Sequence, residues 1–355
     1  MKRIITILMV FSCVALFASG TIKEGMRIYK NGGFAEDYWL SDVDSVKFFT
    51  AEIGEDGEIM DNRDYVVDGA LVKASFKVSD STSVYFSQGN LQFNAMQGSH
   101  AVLDSASKVA GTWRFAKNQY DVVGEDNALI ADDYSGWIDL FSWGTSGWNS
   151  GAKAYQPWDT LSGITTDYNV GNVATNSLLD SCAKADWGIY NAISNGGNEP
   201  NKWRTMTGSE WQYLFKNNSW TLGYVRTNVN DSVLCFMLIP ETFTAPNGTT
   251  LTVISTTTNS ATKDVSVPTG NSYSAVQFES LEKLGVVALP CAGSRNGIEV
   301  YDVNTKGYYW TSSATDWRWT ASFRFYNRYV CSNDYSFRVN GFSVRLVQTI
   351  QKESK

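Results

Sequence analysis

Histidine is almost absent from this chain of 355 residues, with His100 its single representative. One imidazole cannot build a three-histidine zinc site, an HExxH metallosite or an iron facial triad. A Ser-His or Cys-His dyad would have to run through His100, in the loop-like stretch AMQGSHAVLDS. Cysteine is sparse too: Cys13, Cys182, Cys235, Cys291 and Cys331 stand far apart and form no CxxC pair. Zinc ribbons and thioredoxin-type redox motifs are thereby excluded. Also missing are GxSxG, GxxxxGK[ST] and GxGxxG, the patterns that build a nucleophile elbow or cradle phosphates. Basic residues are outnumbered, 29 Lys and Arg against 36 Asp and Glu. That acidic balance removes the electrostatic pull toward nucleic acid or anionic lipid.

Long apolar runs are missing except at the start, MKRIITILMVFSCVALFASGT. Lys2 and Arg3 form a positive n-region and Ile4 to Phe17 an apolar h-region, too short for a membrane span. Ala18-Ser19-Gly20 offers a cleavage site before Thr21, so residues 1–20 are read as a signal peptide. The rival is a lipoprotein signal ending at Cys13. The residues after it, Val14 to Phe17, stay apolar, so that cut would halve the h-region, and ordinary secretion is preferred. The expectation is an extracytoplasmic protein, secreted or associated with the outer surface, with no membrane span. In such a compartment, disulfides among Cys182, Cys235, Cys291 and Cys331 are allowed, with three pairings open.

What the chain has in abundance is aromatic surface: 13 Trp, 18 Tyr and 18 Phe, enough to fill a large core. Residues 21–53 read as a short β preface, with strands MRIYK (26–30) and DSVKFF (44–49) around a turn at Asn31-Gly32-Gly33. The acidic, aperiodic residues 54–70 read as a linker. One large domain is expected over 71–350, with the Thr/Ser/Asn-rich stretch 247–263 as an insertion. SVYFSQGNLQF (83–93) alternates around a Gly89-Asn90 turn, and GTWRFAK (111–117) alternates as well. Helices are few. TGSEWQYLFK (207–216) opens with a Thr207/Glu210 capping box and carries Trp211, Leu214 and Phe215 on one face. AVQFESLEKLG (275–285) ends at Gly285. A weaker helical stretch covers 178–193. The class is α+β, with short helices, antiparallel β-sheets and long ordered loops.

Chemistry-bearing residues concentrate in DDYSGWIDLFSWGTSGWNSGAKAYQPWDT (132–160). Trp137, Trp143, Trp148 and Trp158 are spaced through it without helical period, and exposed rings would stack on sugars or grip a protein. Asp126, Asp132, Asp133 and Asp139 could supply the two carboxylates of glycoside hydrolysis or oxygen ligands for calcium. Glu199-Pro200-Asn201 spells the triplet by which some C-type lectins hold calcium and mannose, and Asn333-Asp334 echoes the later part of that site at a much longer spacing. The candidate ligand-binding residues are therefore Trp137, Trp143, Trp148, Trp158, Asp132, Asp133, Glu199 and Asn201, with calcium the one cofactor considered.

Two regions carry a resemblance. WRTMTGSEWQYLF (203–215) resembles the strand-to-helix entry of the formylglycine-generating-enzyme-like (sulfatase-modifying-factor) fold, with Thr205 and Met206 where that family prefers Leu and Pro. GYYWTSS (307–313), ASFRFY (321–326) and GFSVRLV (341–347) resemble the end of the Fibrobacter succinogenes major paralogous domain and its relatives in Bacteroidota. The resemblance implies a C-type-lectin-like fold over roughly 72–347 in a secreted or surface protein. Alternation turns Tyr308 and Trp310 inward and Tyr309 to the opposite face, with Thr311 to Ser313 as a polar exit. The three C-terminal segments are expected to form a meander, and Arg345 to pair with Glu210 or an Asp. The superfamily's copper enzyme needs a cysteine pair near its C-terminal end, where this chain has Cys331 alone. Its iron-dependent sulfoxide synthases need several histidines. The reading is therefore a non-catalytic binding or adhesion module recognising glycan or protein through loops 125–175 and 195–203. The alternatives are a glycan-processing enzyme using paired loop carboxylates and a purely structural surface subunit.

Overall fold

A computed structural model describes residues 25–30, 33–39, 63–95, 111–131, 133–148, 151–152, 159–227, 231–246, 248–254 and 260–350. The signal-like residues 1–20, Cys13, His100 and the DSVKFF segment lie outside them. The chain divides into two compact units, Met1–Asn62 and Arg63–Lys355. In the first, β1 (Gly25–Lys30) pairs antiparallel with β2 (Gly33–Trp39). The described partner of MRIYK is thus the segment after the Asn-Gly pair, Gly33–Trp39.

The second unit begins inside the expected linker. Its β3 (Val66–Val67) and β4 (Ala70–Leu71) pair with each other, and Tyr65, Ala70 and Leu71 are buried. There follow β5 (Phe76–Lys77), β6 (Ser83–Phe86), β7 (Leu91–Asn94) and β8 (Thr112–Phe115). SVYFSQGNLQF is not a hairpin, because β6 pairs with β5 while β7 pairs with β8. The 178–193 stretch is broken by Asp186, whose extended backbone (ψ 134°) separates a 3-10 segment from the single turn of α1 (Trp187–Tyr190). After β9 (Arg204–Thr205) comes α2 (Gly208–Asn217), with the expected reciprocal capping of Thr207 and Glu210 and with Trp211, Leu214 and Phe215 buried.

The remaining elements are β10 (Ser219–Arg226), β11 (Ser232–Ile239), β12 (Thr262–Asp264), β13 (Ser272–Ser274), α3 (Ala275–Glu282) and β14 (Val287–Pro290). Then come β15 (Ser294–Asn296), β16 (Glu299–Tyr301), β17 (Lys306–Ala314), β18 (Trp319–Tyr326), β19 (Tyr329–Phe337) and β20 (Leu346–Ile350). Helix α3 is capped by Ser274 with Gln277 and stops before Gly285, whose φ of +89° suits a residue without Cβ. Four-stranded sheets run in the orders β13-β10-β11-β14, β12-β19-β18-β17 and β5-β6-β20-β9. Strand pairing is antiparallel except between β10 and β13. The unit is sheet-rich α+β.

Strand β17 lies between two aromatic cores. Tyr309 joins the core of Trp211, Phe236, Phe323 and Phe325, where Trp211 stacks on Phe323 at 4.6 Å. Trp310 joins that of Trp113, Phe141, Trp143, Trp187 and Phe342. Each ring is buried with its polar handle satisfied: Tyr309 donates to the Pro290 carbonyl (2.8 Å) and Trp310 to that of Phe141 (2.6 Å). The expected outward Tyr309 therefore points into the larger core. Thr311 and Ser312, expected as a polar exit, are buried too. The third strand of the meander is β19, and GFSVRLV instead crosses behind β17, bridging Phe141 through Phe342 and Tyr309 of β17 through Ser343, before β20 joins another sheet.

Arg345 meets neither Glu210 nor an aspartate. Glu210 is held by Arg204 at 2.7 and 2.8 Å, whereas Arg345 is buried and donates to Gln119 Oε1 (3.0 Å) and Asn90 Oδ1 (3.5 Å). Gln119 in turn donates to Glu282 (2.9 Å) and the Val286 carbonyl (3.0 Å), accepts from the Ala288 amide (2.7 Å), and Tyr65 donates to Glu282 (3.3 Å). One neutral amide thus relays between a buried cation and a buried acid. All four cysteines of this unit are buried and unbridged, against the allowance for a disulfide. Burial pushes the Cys235 and Cys291 thiols up, so they behave as apolar filler. Replacing Gln119 by Leu takes a partner from buried Arg345 and Glu282 and leaves the Ala288 amide unmet. Urea unfolding is expected to show a loss of about 3 kcal/mol or more.

Candidate functional site

The long loops are fixed by a few buried polar side chains. Asn127 donates to Asp139 Oδ1 and the Gly124 carbonyl, both at 2.8 Å, while its own carbonyl accepts from the Asp139 amide at 2.8 Å. Asp139 Oδ2 accepts from the Val123 amide at 3.0 Å. Arg295, buried, donates to the carbonyls of Asp159 and Gly297, each at 2.8 Å, and to that of Leu140. Arg338, also buried, spans three segments: it donates to the carbonyls of Tyr168 (3.2 Å), Ala174 (2.5 Å) and Asp316 (2.5 Å), and to Asn169 Oδ1 (3.0 Å). Its guanidinium lies 4.6 Å from the centre of the Trp143 ring. Desolvation lowers both arginines to about 10, which leaves them charged at neutral pH.

These clamps decide the fate of the candidate residues. Trp143 is fully buried and donates to the Thr311 carbonyl at 2.8 Å, so it cannot be a ligand platform. Trp148 is half-buried against the second core, and Trp137 is half-buried under Arg114, whose guanidinium sits 3.6 Å from the ring centre. Asp132 and Trp158 lie outside the described residues. Asp133, Glu199 and Asn201 are exposed, as expected of loop acids and amides. Asn333 donates to Tyr335 and Asp334 pairs with Arg324, so neither is turned to a shared site with Glu199. Among the described residues, no three or more His, Cys, Asp or Glu side chains come together as metal ligands would.

What the loops do leave is an open groove of about 440 Å³, lined by residues 128–131 and 133–135, Thr160 and Ile298. Leu129 and Ile298, 51% and 60% exposed, give it an apolar lining. Asp133 lines it, and exposed Glu125, Asp126 and Glu299 lie within three residues of its lining in the chain. Tyr134 folds back over Gly136, where a Cβ would stand 2.1 Å from its hydroxyl. Burial and the Asp126 carboxylate raise that phenol.

A second surface escaped the sequence reading. At the turn between β17 and β18, Trp317 is 44% exposed, and on β19 Tyr335, opposite Ala321, is 50% exposed. Trp319 and Phe337, cross-strand partners, stack at 4.0 Å, and the Arg318 guanidinium lies 5.0 Å from Trp317 and 5.7 Å from Trp319. Asp316 Oδ1 accepts from the amides of Arg318 and Trp319, both at 2.9 Å, fixing the turn. Trp317 and Trp319 continue the alternation of Ala321, Phe323 and Phe325 toward the turn, and the signal that could have found them is the WRW triplet after an aspartate.

No family model, curated protein or solved structure matches the chain. Among the described residues, no helix is long and apolar enough to cross a membrane.

Two buried carboxylates under the loops make a pH prediction. Burial pushes Asp139 and Asp186 up to about 6, against the hydrogen bonds that favour their charged forms. An unfolded aspartate releases its proton near pH 4. Between about pH 4 and 6 the folded chain therefore holds protons the unfolded chain has lost, and stability falls as pH rises through that window. Asp139→Asn removes its share of that slope. Urea midpoints at pH 4.5 and 7 are expected to differ less in the variant than in the parent.

Proposed function

We propose that the chain is an exported binding or adhesion module of a bacterial surface, built on a C-type-lectin-like domain, which holds its partner through loops without transforming it. The observation that carries this reading is the groove framed by clamped loops. Its exposed Leu129 and Ile298 supply apolar contact, and Glu125, Asp126, Asp133 and Glu299 surround them with negative charge. Such a surface suits a polypeptide segment carrying apolar and basic side chains. The loop tryptophans, which would have favoured a sugar there, are sunk or covered at Trp143, Trp148 and Trp137. The paired-carboxylate alternative draws little support, because Asp139 is fully buried and locked by Asn127 and Val123.

Selection from a displayed random-peptide library on the purified chain is expected to enrich sequences with Lys or Arg beside apolar residues. Leu129→Asp combined with Ile298→Asp is expected to weaken the selected peptides at least tenfold with an unchanged unfolding temperature. Peptides indifferent to both substitutions overturn the reading.

A further inference from the structure

We infer that Tyr134 sets the residue preference of the groove, closing an apolar recess beside it to a size that admits the methyl tip of a small aliphatic side chain, alanine or valine, and turns away leucine and aromatic rings. This rests on the reading of the groove as a peptide site and names the anchor such a peptide brings. The recess and the groove share Leu129, Ile130, Ala131 and Tyr134 in their linings. The recess is completed by Phe93, Ala95 and Ile138, all buried in the second core, and by Gly136. Its free space is about 10 Å³, against about 440 Å³ in the groove.

A space of that size holds one water at most, and a buried water needs roughly two to four polar partners. The side chains around the recess are apolar except for the phenol of Tyr134, which the Asp126 carboxylate engages. A methyl group fills the same space without leaving a hydrogen bond unmade, so it displaces water at a gain. A larger side chain would have to push close-packed walls apart.

Those walls are held. Phe93 and Ile138 exchange both backbone hydrogen bonds at 2.9 Å, and the Asn94 amide donates to the Ser135 carbonyl at 2.7 Å. The backbone amide of Tyr134 donates to the Ala131 carbonyl at 3.1 Å, which closes the turn that carries the ring. The ring itself lies against Gly136, where a Cβ would collide with its hydroxyl and Cζ, so only glycine admits it there. Tyr134 is the one aromatic ring common to both linings, and it is set by its turn, by Asp126 and by Gly136 before any partner arrives. A pocket so formed suits a side-chain anchor, with basic neighbours of that anchor meeting Asp133 in the groove lining.

The displayed random-peptide selection is run in parallel on the parent chain and on Tyr134→Ala. The parent is expected to enrich Ala or Val at one position beside Lys or Arg, and the variant to enrich Leu, Ile or Phe at that position. The best parent peptide is then synthesised with Gly, Ala, Val, Leu or Phe at the anchor. On the parent chain, Gly and Phe are each expected to bind about tenfold more weakly than the better of Ala and Val. On Tyr134→Ala the Phe peptide is expected to overtake the Ala peptide, while Tyr134→Phe, which keeps the ring, retains the parent order. Should Tyr134→Ala lower the unfolding temperature, the peptide series on the parent and on Tyr134→Phe still decides. Peptides that are lost with Leu129→Asp and Ile298→Asp yet show no small-aliphatic position, or keep it unchanged in Tyr134→Ala, overturn this inference and leave the groove reading standing. Peptides indifferent to both aspartates, or no enrichment at all, overturn the two together.

Discussion

The buried guanidinium of Arg338 is the contact on which the loop architecture rests. Irregular chain cannot satisfy its carbonyls by strand pairing, yet buried carbonyls must find donors. Arg338 answers with four acceptors drawn from three places, Tyr168-Asn169, Ala174 and Asp316. Arg295 does the same for Leu140, Asp159 and Gly297. Burying a cation is costly, and the lowering of both groups to about 10 reports that cost. It is offset because one rigid fork of five donors replaces several separate hydrogen bonds.

Each of the two exposed surfaces described above adjoins residues that one of these arginines holds. Arg295 binds the carbonyls of Asp159 and Gly297, whose neighbours Thr160 and Ile298 line the groove. Arg338 binds the carbonyl of Asp316, next to Trp317. Neither surface is therefore a loose loop; each is the outer side of a buried ionic hub. The third such residue, Arg345, is buried in the interior. Its relay through Gln119 to Glu282 ties the central strands to α3.

Local features were legible in the sequence, and distant ones were not. The capping box of Thr207 and Glu210 and the apolar face behind it involve neighbours a few residues apart, so spacing alone reveals them. GFSVRLV alternates correctly, but alternation cannot say which strand is the partner, and the chain crosses to another sheet there. Tyr309 was misplaced because alternation assumes one wet face, whereas β17 has a core on each side. Gln119 was invisible as the partner of Arg345, being neutral and 226 residues away. The loop tryptophans have no period, so only the fold could show that Trp143 is sunk.

The placement of β20 has a consequence for the order of events during synthesis. Residues 346–350 lie in the interior of their sheet, between β6 and β9, and Arg345 reaches Asn90 across 255 residues of sequence. Strand β6 waits for a neighbour synthesised far later in the chain. Closing so long a loop is slow, and until it closes β6 and β9 both lack a neighbour. That sheet therefore stays split into two parts until one short strand arrives between them.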